Sequence, residues 1–99
     1  MNKSEMAAAL NAKSAWLPGK RVKLDFGSEG IIMLDGVANA ATEEDGAADT
    51  TIRIDWADWE AMRDGKLDGM TAFMMGKLKV EGDMSNAMQL QGVLAKLKG

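Results

Sequence analysis

Apolar residues recur along this chain at two rhythms. Over residues 3 to 16 they fall about four apart, with Met6 and Leu10 on one stripe among alanines, which predicts an amphipathic helix stopped by Pro18-Gly19. Arg21 to Phe26 alternates at period two, setting Val22, Leu24 and Phe26 against Arg21, Lys23 and Asp25, the pattern of a half-buried strand. Gly27-Ser28-Glu29-Gly30 has the length and glycine content of a hairpin loop. Its partner, Ile31-Ile32-Met33-Leu34-Asp35, is continuously apolar, which predicts a central strand covered on both faces. Between Gly36 and Ala48 the rhythm dissolves into small and acidic residues, and a solvated loop is expected.

Alternation returns from Asp49 to Asp55, with Ile52 and Ile54 on one face and Arg53 on the other, giving another strand. Asp55 and Asp58 read as a capping box for a helix carrying Trp56, Trp59 and Met62 three apart, closed at Gly65. The two tryptophans read as anchors for a short helix on a sheet, with Trp56 a candidate for the rim of a pocket. Asp68 stands where an N-cap would stand, before a two-turn helix with Met70, Phe73 and Met74 at helical spacing and Gly76 as its stop. Lys77 to Glu81 alternates again, with Leu78 and Val80 inward. Gly82 breaks that strand, and Asp83 offers a carboxylate to the free amides of a last helix opening at Met84. At about 100° per residue, its apolar positions (Met84, Ala87, Met88, Leu90, Val93, Leu94, Ala95 and Leu97) spread over roughly 220°, more than one core interface uses. The excess suits a dimer partner, a membrane surface or a ligand.

Composition narrows the chemistry. Ninety-nine residues make one domain, and 46% hydrophobic with 27% charged residues make it globular. A net charge of −3 with interspersed signs and no basic stripe argues against a nucleic-acid partner and against strong adsorption to anionic membranes. With no cysteine and no histidine, the chain lacks thiol chemistry and the commonest general base and metal ligand. Glu43-Glu44-Asp45 lacks the ligand alternation of a calcium loop, and no phosphate loop, nucleophile elbow or dinucleotide fingerprint is present, so no cofactor or metal is expected. Asp25, Asp35, Asp55, Asp58, Asp68 and Asp83 each have a turn, cap or surface use. No apolar run approaches the roughly 20 residues of a membrane span, and the start lacks a secretion signal's layout, so a cytoplasmic protein is expected.

Nine methionines against two phenylalanines and no tyrosine change the picture of the interior. Met62, Met70, Met74, Met75, Met84 and Met88 cluster on the helical segments around one strand. A core with one fixed packing favours Leu, Ile and Val, whereas the unbranched, polarizable thioether adapts to varied shapes. That clustering points to a cavity.

The ordered series Gly76-Lys77-Leu78, Gly82-Asp83 and Met84-Ser85-Asn86-Ala87-Met88 resembles the sterol carrier protein type 2 family. The likeness extends upstream to Val22-Lys23-Leu24-Asp25-Phe26 and Asp49-Thr50-Thr51-Ile52-Arg53-Ile54, so it covers most of the chain. The resemblance implies an α+β domain enclosing an apolar tunnel that holds sterols, fatty acids, fatty acyl-CoAs or phospholipids.

The expectation is a single α+β domain over residues 1–99, with a mainly antiparallel sheet of about five strands covered by helices. It would carry a lipid without covalent chemistry, as a monomer or weak dimer in transient contact with membranes. The candidate ligand-binding residues are Phe26, Ile32, Leu34 and Ile54 on the strands, Trp59 and Met62 on the second helix, Met70, Phe73 and Met74 on the short helix, and Met84, Met88 and Leu94 on the last. The alternative is a module presenting the broad apolar face of its C-terminal helix to another protein. A small carboxylate-based isomerase ranks third, because no spacing selects a catalytic pair.

Overall fold

Asn2 opens the first helix, α1 (Lys3–Ala12), through a reciprocal capping box: its side chain accepts from Glu5 N at 2.8 Å while its own amide donates to Glu5 Oε1 at 2.9 Å. The structure, a computed structural model, describes residues 2–89 and 92. α1 stops at Ala12 rather than continuing to residue 16, because Ser14 takes a left-handed φ of 51°. Ser14 N then donates to Asn11 O and Ala15 N to Leu10 O, which satisfies the last carbonyls and turns Ala15 into the core.

Five strands form one sheet in the order β3-β2-β1-β4-β5: β1 (Arg21–Asp25), β2 (Ile31–Asp35), β3 (Ala40–Thr42), β4 (Thr50–Ile54) and β5 (Leu78–Gly82). β1–β2, β2–β3 and β4–β5 pair antiparallel, and β1–β4 pairs parallel. The sheet is therefore mixed, and the α+β expectation holds. β2 is interior, as its apolar run implies, yet the middle strand is β1. The register sets Val22 beside Leu34 and Thr50, Leu24 beside Ile32 and Ile52, Ile52 beside Val80, and Ile54 beside Leu78, so one face of the sheet is apolar from edge to edge. The opposite face carries Lys23, Arg53 and Lys79, with Arg53 near both Asp25 and Glu81.

β3 corrects the expectation of an unbroken loop from Gly36 to Ala48. Ala40-Ala41-Thr42 has no strand-forming rhythm of its own; its pairing is imposed from outside. The Asn11 side chain donates to Ala41 O and accepts from Ala41 N, both at 2.7 Å, so α1 saturates the outer edge of this short strand. The acidic stretch that follows crosses the outer face, where Asp45 Oδ1 lies 2.6 Å from Lys23 Nζ. Two glycines permit close chain approaches. A Cβ at Gly36 would collide with Leu17 O, and one at Gly82, whose φ is 91°, with Asp49 O.

After β4 come α2 (Trp56–Arg63) and α3 (Gly69–Met74), and residues 84–89 are helical beyond β5. Asp55 precedes α2 without any side-chain capping bond, which corrects the expected capping box: a reciprocal box needs the Asp55 carboxylate to accept from the backbone N–H of Asp58, and that bond is not made. Met6 and Leu10 of α1, Trp59 and Met62 of α2, and Ala72 of α3 pack on the apolar sheet face in one continuous core. The wide apolar arc of the last helix rests largely on Leu90, Val93, Leu94, Ala95 and Leu97, which lie outside the described residues.

Candidate ligand pocket

The apolar face of β4 and β5 borders a pocket of about 350 Å³. Ile52, Leu78 and Val80 form its floor, Met62 comes from the end of α2, and Gly69, Met70 and Phe73 come from α3. Met84, Ala87 and Met88 complete the wall from the helical residues 84–89. None of these side chains has a hydrogen-bond donor or a titratable group, so they can move no proton, and they favour apolar matter. Met62 is buried at 2% exposure, whereas Met70, Phe73, Met84 and Met88 are 42 to 63% exposed. The pocket is therefore closed at its base and open at its mouth.

Two caps position the wall. Asp68 Oδ2 accepts from Thr71 N at 3.1 Å, starting α3 so that Met70 and Phe73 reach the floor strands. Asp83 Oδ1 accepts from Ser85 Oγ at 2.7 Å and Ser85 N at 2.9 Å, and these bonds hold its carboxyl below the ordinary aspartate range. The first turn of the 84–89 helix is thereby fixed at the strand end. Behind it, Thr50 Oγ1 donates to Asp83 O at 2.7 Å and accepts from Asn86 Nδ2 at 3.1 Å, tying that helix to β4.

Of the sequence-predicted ligand residues, Met62, Met70, Phe73, Met84 and Met88 come together here. Phe26, Ile32, Leu34, Ile54 and Trp59 do not: they are buried in the packed core. Phe26 is held there edge-on against Trp56, at 4.9 Å between ring centroids and 87° between planes, and 6.0 Å from Trp59. The rim role considered for Trp56 gives way to this packing. Met74 is 79% exposed and outside the lining, because one side of a six-residue helix suffices to face the strands. Leu94 lies outside the described residues. Sequence reasoning missed Ile52, Gly69, Leu78, Val80 and Ala87. The strand alternation that turns Ile52, Leu78 and Val80 inward was the signal that could have found three of them.

A second cleft of about 470 Å³ borders Phe26, Ile54 and Gly76, but its lining also carries Arg53, Lys77, Lys79, Asp25 and Asp55. Desolvating five charged side chains would be costly, so it is the poorer site for an apolar ligand.

The chain has relatives among known proteins. Residues 5–95 match the SCP-2 sterol transfer family. The chain belongs to that family. It is 41% identical over 59 residues to sterol carrier protein 2 of Gallus gallus, covering 60% of this chain and 11% of the relative. It is 35% identical over 81 residues to stomatin-like protein 1 of Mus musculus, covering 78% of this chain and 20% of the relative. The chain thus spans a fifth or less of the length of these curated relatives. Among solved structures, sterol carrier protein-2 from Aedes aegypti in complex with the C16 fatty acid palmitate superposes with a TM-score of 0.78 at 20% identity, covering 95% of this chain and 94% of the other. At that identity the likeness concerns the fold.

Proposed function

We propose that this domain is a non-enzymatic lipid carrier that receives the apolar part of a fatty acid, sterol, fatty acyl-CoA or phospholipid between β4–β5, α3 and residues 84–89. The observation that carries this reading is a 350 Å³ pocket whose lining side chains, among the described residues, are all apolar, four of them methionine. A ligand entering it exchanges water for hydrocarbon contact and gains about 0.8 kcal/mol per buried methylene. Methionine walls adapt to chains of differing shape, which favours a broad lipid range over a single species. The palmitate bound to the Aedes aegypti relative supports the same assignment.

Solvent extraction of the purified protein followed by mass spectrometry, together with titration of a fluorescent fatty acid, tests the proposal. Extracted fatty acid or phospholipid and saturable 1:1 binding are the expected results. Absence of both, with association into dimers or capture of a protein partner, would overturn the carrier reading in favour of an interaction module.

A further inference from the structure

We infer that the methionines at the pocket mouth form an oxidation site that controls occupancy: peroxide converts Met70, Met84 and Met88 to sulfoxides when the pocket is empty, and a bound lipid shields them. The inference rests on the lipid-pocket reading and adds a modification chemistry to it.

The methionines of the described residues divide by position. Met6, Met33 and Met62 are buried, whereas Met70, Met74, Met75, Met84 and Met88 are exposed. A small oxidant in solution therefore reaches the second group while the fold stays closed around the first. No cysteine competes for it. In the reaction, a hydroperoxide transfers one oxygen atom to the thioether sulfur. The O–O bond breaks as the S–O bond forms, the sulfur loses two electrons, and the peroxide is reduced to water or an alcohol.

The product is a polar sulfoxide, and its placement determines the consequence. Met70, Met84 and Met88 line a pocket whose described side chains contain no donor to pair an S–O dipole. A lipid tail that enters an oxidised pocket must strip water from that dipole without replacement. Met74 and Met75 are exposed but outside the lining, so their oxidation leaves the wall apolar. They act as controls within the same chain.

The test uses the whole chain, delipidated and treated with hydrogen peroxide, with and without saturating palmitate, followed by peptide mass mapping and fluorescent fatty acid titration. Palmitate should slow oxidation at Met70, Met84 and Met88 and leave Met74 and Met75 at their ligand-free rates. Oxidised protein should retain its circular dichroism, bind the probe roughly tenfold more weakly or worse, and recover with methionine sulfoxide reductases. Peroxide should still weaken binding in Met74→Leu/Met75→Leu, and should leave the affinity of Met70→Leu/Met84→Leu/Met88→Leu at its own starting value. Should the triple variant not fold, the wild-type protection map decides. Unchanged affinity after full conversion at all three sites, or equal palmitate protection at Met74 and Met75, would overturn the inference and leave the lipid pocket standing. Failure of untreated protein to bind the probe would remove both.

Discussion

Asn86 Nδ2 donates to Thr50 Oγ1 at 3.1 Å between two side chains almost sealed from solvent. Because Thr50 donates onward to Asp83 O, the pair joins the start of β4 to the helix that carries Met84 and Met88. Asn86→Ala should cost about 1–3 kcal/mol, the range for leaving a buried polar partner unpaired. In a double-mutant cycle with Thr50→Val, urea denaturation should show a coupling of about 0.5 kcal/mol or more. Additive losses would show that the two side chains act independently.

Asp68 controls the other wall. Asp68→Ala leaves the amide of Thr71 without its carboxylate and should lower stability by about 1 kcal/mol. A six-residue helix has little else to nucleate it. Fatty acid affinity should fall as well, since Met70 and Phe73 depend on that helix for their position. A variant with full affinity and an unchanged urea midpoint would place the determinant of α3 elsewhere.

These two caps also mark what the sequence made legible. Asp68 and Asp83 each precede a helix as the local pattern predicts, since a cap depends on residues within one turn. β1, β2, β4 and β5 follow from alternation or from an apolar run for the same reason. β3 was hidden because Ala40-Ala41-Thr42 carries no alternation of its own, and its partners, β2 on one edge and the Asn11 side chain on the other, are tertiary. The pocket was half legible. Clustered methionines announced a cavity, but both Trp59 and Met62 face inward from α2 into the core, and only packing between elements lets Met62 also border the pocket while Trp59 does not. That choice is tertiary.

Acid should destabilise the fold late. The amide of Ala38, with Val37 N and Arg21, lowers the Asp35 pKa; Lys23, with the Gly46 amide, lowers that of Asp45; and Ser85 lowers that of Asp83. Each group binds its proton less readily folded than unfolded, so its stabilisation is present above the unfolded value of about 3.9 and is lost as pH falls through the lower folded values. The chain has no histidine, the side chain whose ordinary pKa lies between about pH 5 and 8. Urea midpoints should be flat over that interval and drop below about pH 4. A decline already evident at pH 6 would contradict this account.

Phe73 separates pocket from core. At 42% exposure it already meets water, so Phe73→Asp should change stability by only about 1 kcal/mol. The same carboxylate would stand in an otherwise apolar lining and should abolish fluorescent fatty acid binding. Unfolding of the variant would mean that Phe73 belongs to the core, and intact binding would move the ligand to another site.

Loading should be visible in melting. A sealed void of 350 Å³ would cost about 8 kcal/mol at 24 cal/mol per Å³, comparable to a whole domain's stability, and the empty protein could hardly fold. The mouth is open, however, with Met70, Phe73, Met84 and Met88 reaching solvent, so water can fill the delipidated pocket and that void cost does not apply. Delipidated protein should therefore remain folded at room temperature. Free fatty acid at 100 times its dissociation constant then stabilises the native state by about 2.7 kcal/mol. For a domain of this size each kcal/mol raises the melting temperature by about 4–8 °C, so saturation should raise it by on the order of 10–20 °C. Calorimetry on stripped and reloaded samples measures the difference directly. Coincident melting curves at saturating fatty acid would mean that lipid does not bind the native state, and the carrier assignment would fall with them.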